Sequence, residues 1–253
     1  MRILAIIPAR YSSVRFPGKP LADINGKPMV QRVYEQVKKC SSIKDIVVAT
    51  DDERIINAVN SIGGKAVLTL PDHQSGTDRC AEVIQRHKEN FDVIINVQGD
   101  EPFIAPDQIE LIASCFKNQE IQIATLIKRI TQSPELFDSS KVKVVINEKE
   151  EAMYFSRFPI PFLRGVSEEL WLENSVYYKH IGIYGYRTEV LSQIVKLPVH
   201  LLEKAESLEQ LRWLANGYRI QTALTELESI SVDTIEDLNA ARKFLNEGTD
   251  LHS

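Results

Sequence analysis

A cation-rich loop near the amino terminus is the first segment whose residue types could do chemistry. Residues 8–20 follow directly on the aliphatic run 3–7, and they include Arg10, Ser13, Arg15 and Lys19. Backbone amides of a turning loop, together with arginine and lysine, can bind several anionic oxygens at once. We therefore predict a triphosphate site, although a solvated loop whose cations only aid solubility could have the same composition.

Two well-known nucleotide loops do not match this segment. In a Walker A loop the Gly-Lys pair is followed by serine or threonine, whereas here proline follows both Gly18-Lys19 and Gly26-Lys27. The first aliphatic run is not followed by a Gly-x-Gly-x-x-Gly pattern either. A dinucleotide fold of the dehydrogenase kind is therefore disfavoured.

Two acidic residues far apart in the chain could hold a divalent cation. Asp100 lies where the apolar run 93–97 ends, and Asp233 lies between a predicted strand and the last predicted helix. Mg²⁺ is typically shared between one or two carboxylates and phosphate oxygens. We predict that the pair holds Mg²⁺ beside the triphosphate, although each aspartate taken singly could equally cap a turn or a helix.

Two further polar segments could contact other parts of a nucleotide or a second substrate. Ser75 and Gly76 lie where a loop enters a helix, so they could hydrogen-bond a base or ribose, or simply cap the helix. In residues 180–187, alternation places His180 and Tyr184 on one strand face, opposite the aliphatic residues. That face could line a polyhydroxyl pocket, or the histidine could be buried with its hydrogen bonds satisfied.

The elements predicted around these residues alternate between strand and helix in the first half of the chain. Continuous aliphatic runs are typical of strands buried on both faces, and here they lie at 3–7, 46–50, 66–70 and 93–97. From about residue 121 the pattern predicts the strands of a mixed-sheet lobe, at 124–130, 142–146, 153–157 and 180–186. The last elements are a helix over 202–214, a strand over 220–224 and a helix over 235–245, which a Thr234–Asp237 capping box would begin.

This order predicts an α/β fold, a Rossmann-like and mostly parallel sheet flanked by helices, with a smaller mixed-sheet lobe. We predict one unit over residues 1–253, with a nucleotide-binding core at about 1–125 and 218–253 and the lobe at about 126–217. Ligands of open α/β sheets bind at the carboxyl ends of the strands. The cation-rich loop and Asp100 should therefore meet at one edge.

Composition and charge exclude several classes of protein. The 253 residues are 43% hydrophobic and carry a net charge of -5, so we predict neither a disordered chain nor a nucleic-acid partner. The apolar runs are too short for a membrane span, and the three cysteines are isolated, as expected for small buried residues rather than a disulfide framework or zinc cluster. We predict a soluble, cytoplasmic protein without a membrane partner.

Seven segments together resemble those of the sugar-acid cytidylyltransferases. They follow in the family's order over essentially the whole chain, at 7–21, 72–79, 96–102, 154–157, 180–187, 208–212 and 232–234. The resemblance implies transfer of CMP from CTP to the anomeric hydroxyl of 3-deoxy-D-manno-octulosonate (Kdo), releasing pyrophosphate, as a step toward lipopolysaccharide. It also implies a Mg²⁺-dependent homodimer with a fold of the nucleotide-diphospho-sugar transferase type, whose lobe binds the sugar and forms the dimer.

The resemblance further implies a role for each matching residue. The triphosphate would be held by Arg10, Ser13, Arg15 and Lys19, of which Arg15 and Lys19 also neutralise the leaving group. Ser75 and Gly76 would help to select cytosine, and Asp100 and Asp233 would ligate Mg²⁺. The sugar acid would be surrounded by Gln98, Arg157, His180, Tyr184, Glu209 and Gln210.

Three alternatives stay open at the level of sequence. The acceptor could be another sugar acid, such as an amino-Kdo or a sialic-acid-like compound. A nucleotide-sugar glycosyltransferase shares the sheet plan, although the cation-rich loop favours a triphosphate. A nucleotide-binding regulator without catalysis is the third, and the presence of both Asp100 and Asp233 argues against it.

Overall fold

The structure is a computed structural model of the chain, and it describes residues 1–12, 16–228 and 230–247. Ser13 and Arg15, which were assigned to the triphosphate, lie outside the described residues. None of the helices in these three ranges has both the length and the apolar character that a membrane span needs.

Most of the described strands belong to one large sheet. In chain order the strands are β1 (Ile3–Pro8), β2 (Asp23–Ile24), β3 (Lys27–Pro28), β4 (Ile43–Thr50), β5 (Ala66–Leu68), β6 (Val93–Asn96), β7 (Ile123–Arg129), β8 (Lys143–Ile146), β9 (Ala152–Ser156), β10 (Tyr178–Arg187) and β11 (Ile220–Leu224). The sheet order is β11-β7-β10-β6-β1-β4-β5, with β8 and β9 extending from β10, while β2 and β3 form a separate pair. β10 runs antiparallel to β6 and β7, whereas β1 is parallel to β4 and β6, β4 to β5, and β7 to β11. The mostly parallel sheet predicted from the sequence is confirmed.

Helices cover both faces of this sheet. In chain order the described helices are α1 (Met29–Val37), α2 (Glu53–Ser61), α3 (Gly76–Arg86), α4 (Pro106–Cys115), α5 (Ser133–Phe137), α6 (Trp171–Asn174), α7 (Thr188–Ile194), α8 (Leu201–Glu206), α9 (Gln210–Ala215) and α10 (Ile235–Glu247). Alternate residues of β1 divide between the two faces. Ile3, Ala5 and Ile7 pack with α1, α2 and α4, while Leu4 and Ile6 pack with α3, α7 and α9. The strand is therefore buried on both sides, as its aliphatic sequence predicted.

A smaller apolar cluster fixes the carboxyl-terminal helix beside the start of the chain. Val232, Leu238 and Ala241 pack there with Ile24 and Met29. Val232 is fully buried, so the residue that follows it is held in a defined place at the sheet edge.

The prediction of a single helix over 202–214 is wrong, because the structure divides this segment into two helices, α8 and α9. Ser207, between them, has a φ of +52°, which a right-handed helix does not contain. The break directs Glu206 to the Ser156 hydroxyl, which donates to it at 2.7 Å. It likewise directs Glu209 to the Ser75 hydroxyl at 3.0 Å. These long-range hydrogen bonds account for the break, and the local periodicity of the sequence carries no information about them.

Strand β10 joins the two regions that the sequence divides at about residue 126. Its first residues pair with β8 and with the end of β7, and its last residues lie between β6 and β7. The main sheet therefore continues into the lobe, and β8 and β9 extend it there. The division into core and lobe stays a prediction, with β10 shared between the two.

The three cysteines are free thiols. Cys40 and Cys80 are buried, and Cys115 is half-buried. Burial raises the pKa of Cys40 to about 12 and that of Cys115 to about 11, and it raises the pKa of Cys80 as well. All three are therefore protonated at neutral pH, as expected for cysteines that only fill space.

Candidate active site

A polar cleft of about 300 Å³ opens at the carboxyl ends of β1 and β6. The loop after β1, the loop before α3, the turn after β6 and the segment before α10 supply its walls. The predicted site residues that line it are Arg10, Lys19, Ser75, Gly76, Gln98, Asp100 and Asp233. The cation-rich loop and Asp100 thus meet at the edge where an α/β sheet is expected to bind its ligand.

Lys19 lies between the two predicted metal ligands. Its Nζ donates to Asp100 Oδ2 at 2.7 Å and to Asp233 Oδ1 at 3.0 Å. The two carboxylates therefore face the same point, although they belong to distant parts of the chain. The Lys19 side chain is only 13% exposed, so these charges interact more strongly than they would in bulk water.

Backbone hydrogen bonds bring the two aspartates together. The N–H of Val232 donates to the carbonyl of Asp100 at 2.8 Å, which ties the residue before Asp233 to Asp100 itself. Asp237 Oδ2 accepts the N–H of Thr234 at 2.9 Å, and Thr234 Oγ1 accepts the N–H of Asp237 at 3.2 Å. The capping box predicted at the start of α10 is therefore confirmed, and it holds the segment that carries Asp233.

The turn after β6 passes so close to β1 that only glycine fits at position 99. A Cβ added to Gly99 would overlap the carbonyl oxygen of Pro8. Because that neighbour is backbone rather than a flexible side chain, a larger residue would have to displace the turn that carries Asp100.

Gly99→Ala is expected to lower the free energy of unfolding by about 1–3 kcal/mol, because the added methyl group overpacks this turn. Gly182→Ala is the matched control, since a Cβ there meets nothing within 4 Å. Urea denaturation of both variants measures the difference. A Gly99→Ala variant as stable as the wild type would contradict the close contact.

Arg10 and Lys19 lie at the two ends of the loop after β1. Arg10 is exposed and lines the cleft. Gly18 adopts a left-handed φ of +74°, and its N–H donates to the carbonyl of Tyr11 at 2.9 Å, which closes the loop just before Lys19. The loop therefore presents two cations to the same cleft, as a triphosphate site requires.

Ser75 caps helix α3 and also lines the cleft. Its Oγ accepts the N–H of Asp78 at 3.1 Å, and Asp78 Oδ2 accepts the N–H of Ser75 at 3.2 Å. A Cβ on the neighbouring Gly76 would lie 3.3 Å from the Pro8 ring, so a small residue keeps this wall close to β1. The helix-cap interpretation therefore holds for Ser75, and cytosine selection by Ser75 and Gly76 stays a prediction.

Glu209 connects α9 with the wall that α3 provides. It accepts hydrogen bonds from Ser75 Oγ at 3.0 Å and from Thr77 Oγ1 at 2.7 Å, and its carboxylate lies 3.5 Å from the Arg212 guanidinium. Burial raises the pKa of Glu209 even though both hydroxyls and Arg212 favour the ionised form. Glu209, which was assigned to the sugar acid, is thus in direct contact with Ser75, which was assigned to the nucleotide.

The remaining residues assigned to the sugar acid extend from the cleft along β10. Gln98 lines the cleft, and its Nε2 donates to the carbonyl of Gly182 at 3.0 Å. The rings of His180 and Tyr184 lie 5.2 Å apart, on the face opposite the aliphatic residues of β10, as the alternation predicted. Gln210 is buried at the first position of α9.

His180 is neutral in the folded protein. Its ring packs between Phe155 and Tyr184, and its Nε2 lies 2.9 Å from Thr125 Oγ1. Removal from water lowers the pKa of His180 to about 3. The imidazole can therefore accept or donate a hydrogen bond, but it does not carry a charge at neutral pH.

The ring signals of His180 in an NMR titration are expected to stay constant from about pH 9 down to about pH 5, where an ordinary histidine changes charge. The unfolded chain, with a pKa near ~6.5, binds this proton before the folded chain does, so His180 destabilises the fold as the pH falls from ~6.5 toward ~3. The same residue in denaturant serves as the control. A midpoint above pH ~5 in the folded protein would contradict the burial of the ring.

Arg157 lies in the lobe, apart from the residues that line the cleft. Its Nε donates to the carbonyl of Glu206 at 2.7 Å, and its Nη1 donates to the carbonyl of Ser139 at 3.2 Å. The guanidinium is thus engaged with backbone of the lobe itself. Its assignment to the sugar acid stays a prediction.

The cytidylyltransferase family model matches residues 4–228 of the chain. The matched range covers most of the sheet and the lining of the cleft up to Asp100. The chain belongs to the cytidylyltransferase family.

Individual proteins within this family are similar to the chain over nearly its whole length. A protein of Parabacteroides distasonis named 3-deoxy-manno-octulosonate cytidylyltransferase is 55% identical to this chain, over 97% of this chain and 98% of the relative. A protein of the same name from Bacteroides thetaiotaomicron is 52% identical, over 97% of this chain and 98% of that relative. A solved structure of CMP:2-keto-3-deoxy-manno-octonic acid synthetase complexed with CTP is 42% identical, with a TM-score of 0.91 over 98% of this chain and 100% of that one. The resemblance to the sugar-acid cytidylyltransferases is confirmed.

The donor set of this cytidylyltransferase fits Mg²⁺. Asp100 and Asp233 both approach a single cationic atom, the Nζ of Lys19. In the described part of the chain, no group of three or more His, Cys, Asp or Glu side chains could hold a metal ion. A metal bound by the two carboxylates must complete its shell with substrate oxygens and water, as Mg²⁺ commonly does.

Our interpretation of the sequence assigned no role to the two ionisable residues His73 and Arg79, which also line the cleft. Arg79 is only 2% exposed and pairs with Asp51, and the Nε2 of His73 is hydrogen-bonded to Glu82. Arg79 lies one turn into a helix that begins at the carboxyl edge of the sheet. A cation in that position was the signal that could have identified it.

Proposed function

We propose that this cytidylyltransferase transfers CMP from CTP to the anomeric hydroxyl of Kdo and releases pyrophosphate, a step toward lipopolysaccharide. The single observation that carries the proposal is the contact of Lys19 with both Asp100 and Asp233 inside the cleft. A cation and two carboxylates at one point suit a triphosphate that brings its own divalent metal. The names of the similar proteins support CTP as the donor and Kdo as the acceptor.

The chemistry asks the protein mainly for positioning and for charge neutralisation. The sugar hydroxyl attacks the α-phosphorus of CTP in line, a P–O bond forms, and the bond to pyrophosphate breaks. Among the described residues, Arg10, Lys19 and Arg79 are the lysines and arginines that line this cleft, and of these Arg79 is already paired with Asp51. Arg15 would add to their positive charge from outside the described residues. These cations stabilise the negative charge that develops on the leaving pyrophosphate.

Asp100 and Asp233 would hold Mg²⁺, which when bound lowers the pKa of a coordinated hydroxyl and neutralises phosphate charge. Lys19 compensates the same carboxylates in the structure described here. Once the carboxylates have another cation, the ammonium of Lys19 is free to pair with a phosphate oxygen. Lys19 thus stabilises the two carboxylates before the substrate binds, and it contributes positive charge to the triphosphate afterwards.

The acceptor side would be formed by polar groups around β10 and α9. Gln98 lies in the cleft and contacts β10, while His180 is uncharged and Tyr184 is buried beside it. Neutral donors and acceptors suit the hydroxyl groups of a sugar acid. Glu209 and Gln210 would close this side, because Glu209 already contacts the Ser75 wall.

A matrix of four nucleoside triphosphates against several sugar acids, with Mg²⁺, tests this function. Pyrophosphate release and the mass of the product are measured for each pair. We expect the highest rate and a CMP-sugar mass with CTP and Kdo. Faster turnover of another sugar acid would show that this other sugar acid, and not Kdo, is the preferred acceptor. CTP binding without pyrophosphate release would instead indicate a regulator.

We also propose that the protein is a cytoplasmic homodimer formed through the lobe. The most exposed of the large apolar side chains described there are Met153 (62%), Phe158 (70%), Phe162 (69%) and Leu201 (78%). Apolar surface of this kind often marks a protein interface, and a second copy of the chain would cover it. Light scattering after size exclusion should give the mass of a dimer, and a monomer at all concentrations would contradict the proposal.

A further inference from the structure

Asp51 connects the two walls of the cleft, although it is not one of the residues assigned to either substrate. It follows directly on β4, next to the loop that bears the cations. Its Oδ1 accepts the N–H of Tyr11 at 3.1 Å, and its Oδ2 pairs with the Arg79 guanidinium at 3.4 Å. Tyr11 belongs to the cation-rich loop and Arg79 to α3, so a single carboxylate holds both.

The contact with Tyr11 extends to the catalytic lysine through the backbone. The carbonyl of Tyr11 accepts the N–H of Gly18 at 2.9 Å, and Lys19 follows Gly18. The Tyr11 ring lies against Gly18, and the guanidinium of Arg54 lies over that ring, 3.5 Å from its centroid. Fixing the N–H of Tyr11 therefore fixes the base of the loop that presents Lys19.

The contact with Arg79 balances a buried charge in the opposite wall. The Arg79 side chain is 3% exposed and that of Asp51 is 8% exposed. Arg79 also donates to the hydroxyl of Thr69, which in turn donates to the carbonyl of Thr50 at 3.0 Å. An arginine buried to this extent requires a paired carboxylate. Without one, the guanidinium would leave the position in which the pair with Asp51 holds it.

We propose that Asp51 is a positioning residue for the nucleotide, because it holds Lys19 and Arg79 at the separation that bound CTP requires. The inference rests on the proposed function, since it takes CTP to be the occupant of the cleft. Asp51 therefore affects the affinity for CTP, and it does not affect the affinity for the acceptor.

Asp51→Asn tests the proposal, because asparagine keeps the size and the acceptor for Tyr11 but turns an amide toward Arg79. The KM for CTP should rise on the order of tenfold, with the KM for Kdo within about twofold of the wild type. Asp51→Glu keeps the charge on a longer stem and should recover part of the affinity. Asp45→Asn is the matched control, since Asp45 lies on β4, the strand that Asp51 follows, and pairs with exposed Lys65 at 2.7 Å.

Calorimetric titration with CTP and Mg²⁺, without a sugar acid, and a melting curve complete the experiment. A wild type that binds CTP but releases no pyrophosphate would overturn the proposed function, and the Kd values would still test Asp51. A variant that loses thermal stability while its CTP affinity stays within twofold of the wild type would overturn the proposal, as would an equal rise in both KM values. If Asp51→Asn does not fold, an unchanged Kd in Asp51→Glu overturns it equally.

Discussion

Asp100→Asn is expected to lower kcat by about 10³-fold while the protein stays folded, because loss of one of the two carboxylates proposed to bind the metal would remove several kcal/mol of transition-state stabilisation. The amide keeps the shape of the side chain, and Lys19 can still pair with Asp233 at 3.0 Å. The carbonyl of Asp100 that accepts from Val232 is unaffected. Steady-state pyrophosphate release measures the effect, and circular dichroism checks the fold.

Asp107→Asn is the control for this experiment. Asp107 is an exposed residue in the first turn of α4, close to Asp100 in sequence but outside the lining of the cleft. Its replacement makes the same chemical change and should leave kcat within about twofold of the wild type. Wild-type turnover in Asp100→Asn would show that the carboxylate does not take part in the reaction.

Lys19→Ala is the second change with a large expected effect. Loss of the lysine side chain leaves Asp100 and Asp233 close together without the cation that contacts both of them. The incoming triphosphate then meets two uncompensated negative charges, so the KM for CTP should rise by about 10–100-fold. Added Mg²⁺ should lower the KM for CTP more in Lys19→Ala than in the wild type, because the metal can replace the missing charge.

Kinetics at several CTP and Mg²⁺ concentrations measure this prediction. Lys27→Ala removes a cation that pairs with Glu35 at 2.8 Å on the surface, so it controls for the loss of one positive charge. An unchanged KM for CTP in Lys19→Ala, with an effect on thermal stability alone, would show that the lysine only compensates the two carboxylates.

The position of Asp100 at the edge that carries the cation-rich loop could be predicted because topology determines it. Asp100 follows an aliphatic run that had to be a buried strand, and parallel strands end at a common edge. Pro8 and Gly99 meet at that edge in the structure. Burial on both faces gave β1, β4 and β6 an unambiguous sequence pattern, so the main sheet was also predictable.

Features that depend on contacts between distant segments could not be predicted in this way. The turn at Ser207 follows from hydrogen bonds of Glu206 and Glu209 to residues far away in the chain. The bridging position of Lys19 depends on where α10 packs, and the role of Arg79 depends on its pairing with Asp51. Local periodicity contains none of this information. The strand β10 was recognised, but its place between β6 and β7 was not.

Binding of Mn²⁺ followed by electron paramagnetic resonance tests the central claim most directly. Mn²⁺ replaces Mg²⁺ at oxygen sites, and loss of the free-ion signal beyond the loss that CTP alone causes reports binding to the protein without turnover. We predict that Asp233→Asn weakens CTP-dependent Mn²⁺ binding by at least about tenfold, since one of two protein ligands is lost, while the melting temperature stays close to that of the wild type. An unchanged Mn²⁺ affinity in this folded variant would contradict a shared metal site at Asp100 and Asp233.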